Sequence, residues 1–241
     1  MRRRVLISLL GVANLLGAGA LSADPDEPAR PSERLDFGSR RPALLHAPRK
    51  PGQPAPLVVF LHGMCALPEY ECPVFEPGTR SAWLLCPPGP VACGASGAMW
   101  TGDANKLIKA ITASSEAASA EHGAAIAAEP RTLIGYSMGA TAALRIALKQ
   151  PGTFQRLMIV NASVSVSAAD LRRAQVTRIA FVAGERDRSA GKLKQSAQRL
   201  AKAGLDAQFF ALAKTGHYFD ARSAGLLTVP LTWLVSAKTR P

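Results

Sequence analysis

Six short apolar runs punctuate the chain, with helical patterns between most of them, and this alternation leaves few architectures open. The runs fall at residues 57–61, 82–85, 132–136, 157–160, 178–183 and 207–212. Each is partly β-branched or aromatic and lacks the polar alternation of a half-exposed strand. Runs of this kind suit strands covered on both faces, as in a parallel sheet. Helical stretches are expected at 103–122, which is Ala-rich, free of Pro and followed by Gly123, and at 139–150, which stops before Pro151. A third, at 191–203, carries Leu193, Ala197 and Leu200 at helical spacing, and a last one at 221–237 must accommodate Pro230. The expected class is α/β: a mostly parallel central sheet with helices on both faces, in three layers. No internal repeat is present.

The bulk composition agrees. Of 241 residues, 48% are hydrophobic and 19% charged, which supplies a real core and excludes general disorder. The formal charge is +12, but the basic residues are scattered, with no long basic run outside the leader. A solvated cationic surface, rather than a nucleic-acid interface, is the expectation. Met1 to Arg4 followed by an uncharged apolar stretch to Leu21, then Ser22-Ala23, has the layout of a secretory signal peptide. The chain is therefore expected to divide into a leader at 1–23, a Pro-rich linker with weak edge strands at 24–56, and a main folded domain at 57–241. A strand at 43–46 is the best candidate in the linker. A secreted or periplasmic protein is expected, with no integral membrane segment once the leader is cleaved.

The cysteines point to the same compartment. Cys65, Cys72, Cys86 and Cys93 are even in number and confined to 29 residues. In an exported chain that suggests two disulfides pinning one region, with three connectivities open. No C-x-x-C pair is present, so a zinc site is not expected, and no other metal is implied.

The chemistry gathers at the ends of the strand runs. Gly135-Tyr136-Ser137-Met138-Gly139 reads G-x-S-x-G between a buried strand and an amphipathic helix. That context puts Ser137 on a tight strand-to-helix turn, with its hydroxyl projecting from the sheet edge. A serine hydroxyl needs a base to accept its proton. Of the four histidines, His46 lies in the weak N-terminal region and His122 at a helix end, whereas His217 follows the sixth run and opens at the same sheet edge as Ser137. The base needs a group to fix its tautomer. Asp187, just after the fifth run, is favoured; Glu185, nearer the strand end, is second. Asp220 is too close to His217 in sequence. An oxyanion needs two backbone N–H groups. Met138 follows the nucleophile, and Met64 lies in the His62-Gly63-Met64-Cys65 loop after the first run. His62 is expected to brace that loop rather than act as a base.

These residues resemble the α/β-hydrolase superfamily, over about residues 57–234. The features that carry the resemblance are the His62-Gly63 loop, the G-Y-S-M-G elbow, the G-x-x-D segment at 184–187 and the Gly216-His217 pair, in family order. The resemblance implies an eight-stranded, mostly parallel sheet and an acyl-enzyme mechanism without a metal or organic cofactor. The departure lies before residue 57, where two antiparallel strands are not evident.

Only 26 residues separate Val160 from Asp187, enough for a short helix near 168–174 and no large cap. An open site suits small or oligomeric esters. Met64, Trp100, Met138 and Tyr218 are the candidate pocket walls. A monomeric esterase acting on a small-molecule or oligomeric ester is the expectation. A peptidase or amidase on the same scaffold, an acyl transferase, and a non-catalytic envelope-binding protein are the competing readings.

Overall fold

The computed structural model describes residues 31–49, 52–219 and 221–236. The expected leader lies outside the described residues. The strands are β1 (Ser32–Leu35), β2 (Ala43–His46), β3 (Ala55–Leu61), β4 (Trp83–Cys86), β5 (Val91–Cys93), β6 (Gly97–Met99), β7 (Ile126–Tyr136), β8 (Arg156–Val160), β9 (Arg178–Gly184) and β10 (Asp206–Leu212). The helices are α1 (Pro68–Phe75), α2 (Ala104–His122), α3 (Met138–Lys149), α4 (Ala168–Arg173), α5 (Ala190–Lys202) and α6 (Ala221–Val235).

Eight strands form one sheet in the order β1-β2-β4-β3-β7-β8-β9-β10, and β5 and β6 form a separate hairpin. From β4 to β10 the pairing is parallel; β1–β2 and β2–β4 are antiparallel. The antiparallel pair missing from the sequence pattern is thus present before residue 57. It is hard to see there because β1 and β2 have four residues each, and three of β1's four are exposed.

The period-2 geometry of the buried strands splits the core in two. Leu57, Val59 and Leu61 point to one face with Ile159 and Phe181, where α2, α3, α4 and α5 cover them through Leu107, Ile146, Leu171 and Leu193. Val58 and Phe60 point to the other with Met158 and Val182, under α1 and α6 through Phe75, Leu227 and Leu231. This is the three-layer arrangement that continuous apolar strand runs require. Proline marks the boundaries: Pro68 opens α1 at its first turn, whereas Pro230 lies inside α6, where its ring removes one helix hydrogen bond.

All four cysteines are bonded, Cys65 to Cys93 and Cys72 to Cys86. The first ties the loop after β3 to the β5–β6 hairpin; the second ties α1 to β4. The registers align the carboxyl ends of β3, β7, β8 and β9: Leu61 pairs with Gly135, Tyr136 with Val160, and Val160 with Val182. Every loop expected to carry chemistry therefore leaves the sheet at one edge, where open α/β sheets bind their ligands.

Candidate active site

The turn between β7 and α3 is built by what its glycines leave out. A Cβ on Gly139 would lie 2.1 Å from the Leu61 carbonyl oxygen, and one on Gly135 would lie 2.3 Å from the Gly139 carbonyl oxygen. Any side chain at either position would push α3 off the strands. Between them Ser137 adopts φ 53° and ψ −115°, a left-handed backbone that costs a non-glycine residue about 1–3 kcal/mol. Its amide is anchored to the Val160 carbonyl at 2.9 Å. The strained turn lifts the hydroxyl out of the sheet edge.

The Ser137 Oγ lies 3.1 Å from His217 Nε2, and His217 Nδ1 lies 2.6 Å from Asp187 Oδ2. The other carboxylate oxygen of Asp187 accepts the Ser189 amide at 2.7 Å and the Ser189 hydroxyl. Burial alone would raise the Asp187 pKa. The two Ser189 bonds and the His217 ring outweigh it and hold the carboxyl below the usual range. Glu185, the second candidate for this position, is exposed and accepts the Lys214 amide at 2.9 Å.

The loop bearing His217 is fixed by groups that the sequence reading did not single out. Tyr136 donates its hydroxyl to the His217 carbonyl at 2.7 Å. Asn161 donates its amide to the same carbonyl at 2.8 Å, and its Oδ1 accepts the Gly184 amide at 3.0 Å. Asn161 directly follows β8. A polar residue at that strand end, level with Ser137, was the available signal. Tyr136 was concealed as the variable residue of the elbow pattern.

Met138 is the first residue of α3, where an amide has no intrahelical acceptor. Met64 lines the same cleft as Ser137 and Met138, with its side chain largely exposed. Two groups hold the Met64 loop. Buried His62 donates from Nδ1 to the Gly63 carbonyl at 2.7 Å and accepts the Gly89 amide at Nε2, 2.9 Å away. Holding one proton and accepting another requires a neutral ring, and burial lowers its pKa to about 4. His62 thus braces the loop and stands apart from the Ser137–His217 pair. Glu71, on α1, accepts the Gly63 amide at 2.7 Å. Burial raises its pKa, with the Gly63 amide and His217 acting in the opposite sense.

Two open clefts meet here. One, of about 430 Å³, is lined by Ser137, Met64, Trp100, Met138 and Arg145. The other, of about 610 Å³, is lined by His217, Asp187, Tyr218, Arg186 and Arg188. Asn161 and Ser163 line both. Trp100 is nearly buried and packs against His62, with ring centroids 5.4 Å apart. Tyr218 is 85% exposed and stands edge-on to His217. The segment between β8 and β9 holds only the six-residue α4, so no cap covers the clefts. Among the described residues no group of three or more His, Cys, Asp or Glu could hold a metal ion.

A strained serine at a β-strand-to-helix turn of a mostly parallel sheet, with a histidine and a carboxylate at later strand ends, is the layout of the α/β-hydrolase fold. The chain has the fold of that superfamily, and part of it is similar to esterases. Residues 113–224 match the model of the Esterase family, described as "Putative esterase". Among solved structures, esterase PE8 aligns with a TM-score of 0.60 at 18% identity, covering 79% of this chain and 97% of that one. A carboxylesterase from Mesorhizobium loti aligns with a TM-score of 0.59 at 18% identity, covering 83% and 98%. FphF, a fluorophosphonate-binding serine hydrolase from Staphylococcus aureus, aligns with a TM-score of 0.61 at 14% identity, covering 81% and 92%. No curated protein matches the chain in sequence.

Proposed function

We propose that the protein is an exported serine esterase that cleaves carboxyl esters through an acyl-enzyme on Ser137. The observation that carries this reading is the unbroken chain from Ser137 Oγ through the His217 ring to Asp187, at 3.1 and 2.6 Å. Both distances are within reach of direct proton transfer. His217 Nε2 takes the Ser137 proton as Oγ attacks the ester carbonyl carbon. The amides of Met64 and Met138 hold the oxyanion, an arrangement in which losing one donor costs about 10²–10³ in rate. The tetrahedral carbon expels the alcohol, which leaves with the proton from His217. Water, deprotonated by the same ring, then releases the acid. Asp187 keeps the ring's Nδ1 protonated and stabilises the imidazolium. Export is supported by the leader pattern and by two disulfides.

The uncapped clefts favour short or oligomeric esters over long lipids. The test is hydrolysis of p-nitrophenyl acetate, butyrate and octanoate by wild type, Ser137→Ala and His217→Ala, with fluorophosphonate labelling alongside. Wild-type turnover far above both variants is expected, with label on Ser137 alone. Equal inertness of all three proteins to esters and to the label would overturn the reading. A peptide series run beside the esters separates an esterase from an amidase on the same site.

A further inference from the structure

The two clefts differ in chemistry, and the reaction assigns a side to each. In acylation the bond from Ser137 Oγ to the acyl carbon forms and the bond from that carbon to the alcohol oxygen breaks. The alcohol oxygen takes its proton from His217 Nε2, so the alcohol half must lie on the His217 side. The cleft on that side is lined by Arg186 and Arg188, one on each side of Asp187 in sequence, together with Ser163, Ser189 and Tyr218. Both arginines are exposed, and neither makes an ion pair among the described residues. Among the described residues the only carboxylate lining that cleft is Asp187, which is already occupied by His217 and Ser189. Glu185 lines neither cleft. The side holding Ser137 is walled by Met64, Trp100 and Met138, and its single guanidinium, Arg145, already donates to the Gly102 carbonyl at 3.0 Å.

Resting on the esterase reading above, we propose that the preferred substrate is an ester whose alcohol half carries an anionic group, a carboxylate or phosphate, recognised by Arg186 and Arg188. Guanidinium groups present planar N–H pairs that match either oxyanion, and two exposed ones, without an ion pair among the described residues, beside one leaving-group path favour such a substrate over its neutral isostere. The acyl half meets mainly apolar walls and is the smaller determinant.

The test compares para-acetoxybenzoate and para-acetoxyphenyl phosphate with neutral para-acetoxybenzamide at low salt. Wild-type kcat/KM is expected to favour at least one anionic ester by about fivefold or more, and the stronger of the two identifies the anion. The ratio should fall towards one in Arg186→Gln/Arg188→Gln and at high salt. A ratio near one in wild type, or a preference that survives the double substitution, would overturn the proposal. A second arm needs no turnover. Ser137→Ala is titrated with para-hydroxybenzoate, para-hydroxyphenyl phosphate and para-hydroxybenzamide, with and without the two arginine substitutions. Anion-selective binding that disappears with the arginines supports the cleft assignment even if Ser137 resists fluorophosphonate, in which case the esterase reading alone fails. Unselective binding, or none, overturns the assignment.

Discussion

Glu71 Oε2 accepts the Gly63 amide proton at 2.7 Å, and Gly63 immediately precedes Met64, one of the two proposed oxyanion donors. A Cβ on Gly63 would lie 3.1 Å from the Tyr136 ring and 3.2 Å from Glu71, so the loop is squeezed between the two. Replacing Glu71 by Ala removes the acceptor and lets the loop drift. The expected result is a fall in kcat of about tenfold or more with KM nearly unchanged, since the donor acts chiefly in the transition state. Glu71→Gln keeps an acceptor oxygen and should retain most of the activity. Steady-state kinetics on a short-chain ester, with melting temperatures as a folding control, check both. A KM effect alone would count against the role.

Asp187 and Glu185 leave the same strand end but meet different partners. Asp187→Asn keeps the shape yet cannot hold the ring in the required tautomer, so kcat should fall about 10³–10⁴-fold. Glu185→Gln, at an exposed side chain that accepts the Lys214 amide, should stay within about threefold. Reversed magnitudes would move the orienting role to Glu185.

The two disulfides close loops of unequal length around unequal parts of the site. Their sequence separations are 28 and 14, and either one is expected to contribute roughly 3–4 kcal/mol by restricting the unfolded chain. Cys72→Ser/Cys86→Ser should lower stability with little change in kcat. Cys65→Ser/Cys93→Ser should lower both, because Cys65 adjoins Met64. Denaturant melts and ester kinetics on the two double variants provide the comparison.

His62 predicts an acid sensitivity. Its folded-state pKa of about 4 lies below the ordinary 6.5, so between these values the unfolded chain binds a proton that the folded protein refuses. The corresponding stability is complete above the ordinary value and is lost as pH falls towards 4, a difference of roughly 3 kcal/mol. The opposite shift at Glu71 is common to wild type and variant and cancels in the comparison. Thermal unfolding of wild type should therefore steepen on acidification relative to His62→Asn. In NMR titrations the His62 ring should remain neutral well below the midpoint of an ordinary histidine.

Much of this was legible in the chain. The buried strands declared themselves because both of their faces had to be apolar. The elbow declared itself because only glycine fits at 135 and 139. Asn161 and Tyr136 were less visible, since their roles depend on the carbonyl of His217, more than fifty residues away. Glu71 gave no signal, because α1 has only a weak apolar pattern and its site role arises solely from where α1 packs.

The sequence alone determined the alternation of strand and helix, the tight turn that carries Ser137 and the order in which candidate groups reach one sheet edge. These are local properties, fixed by periodicity, glycine sterics and residue type. Only the tertiary structure decided which cysteines pair, which carboxylate faces His217, how Glu71 and His62 hold the Gly63 loop, and that Arg186 and Arg188 line the His217 side. Those outcomes depend on distances between residues remote in the chain. They are set by how α1, the hairpin and the strand-end loops pack together, and no local pattern encodes that packing.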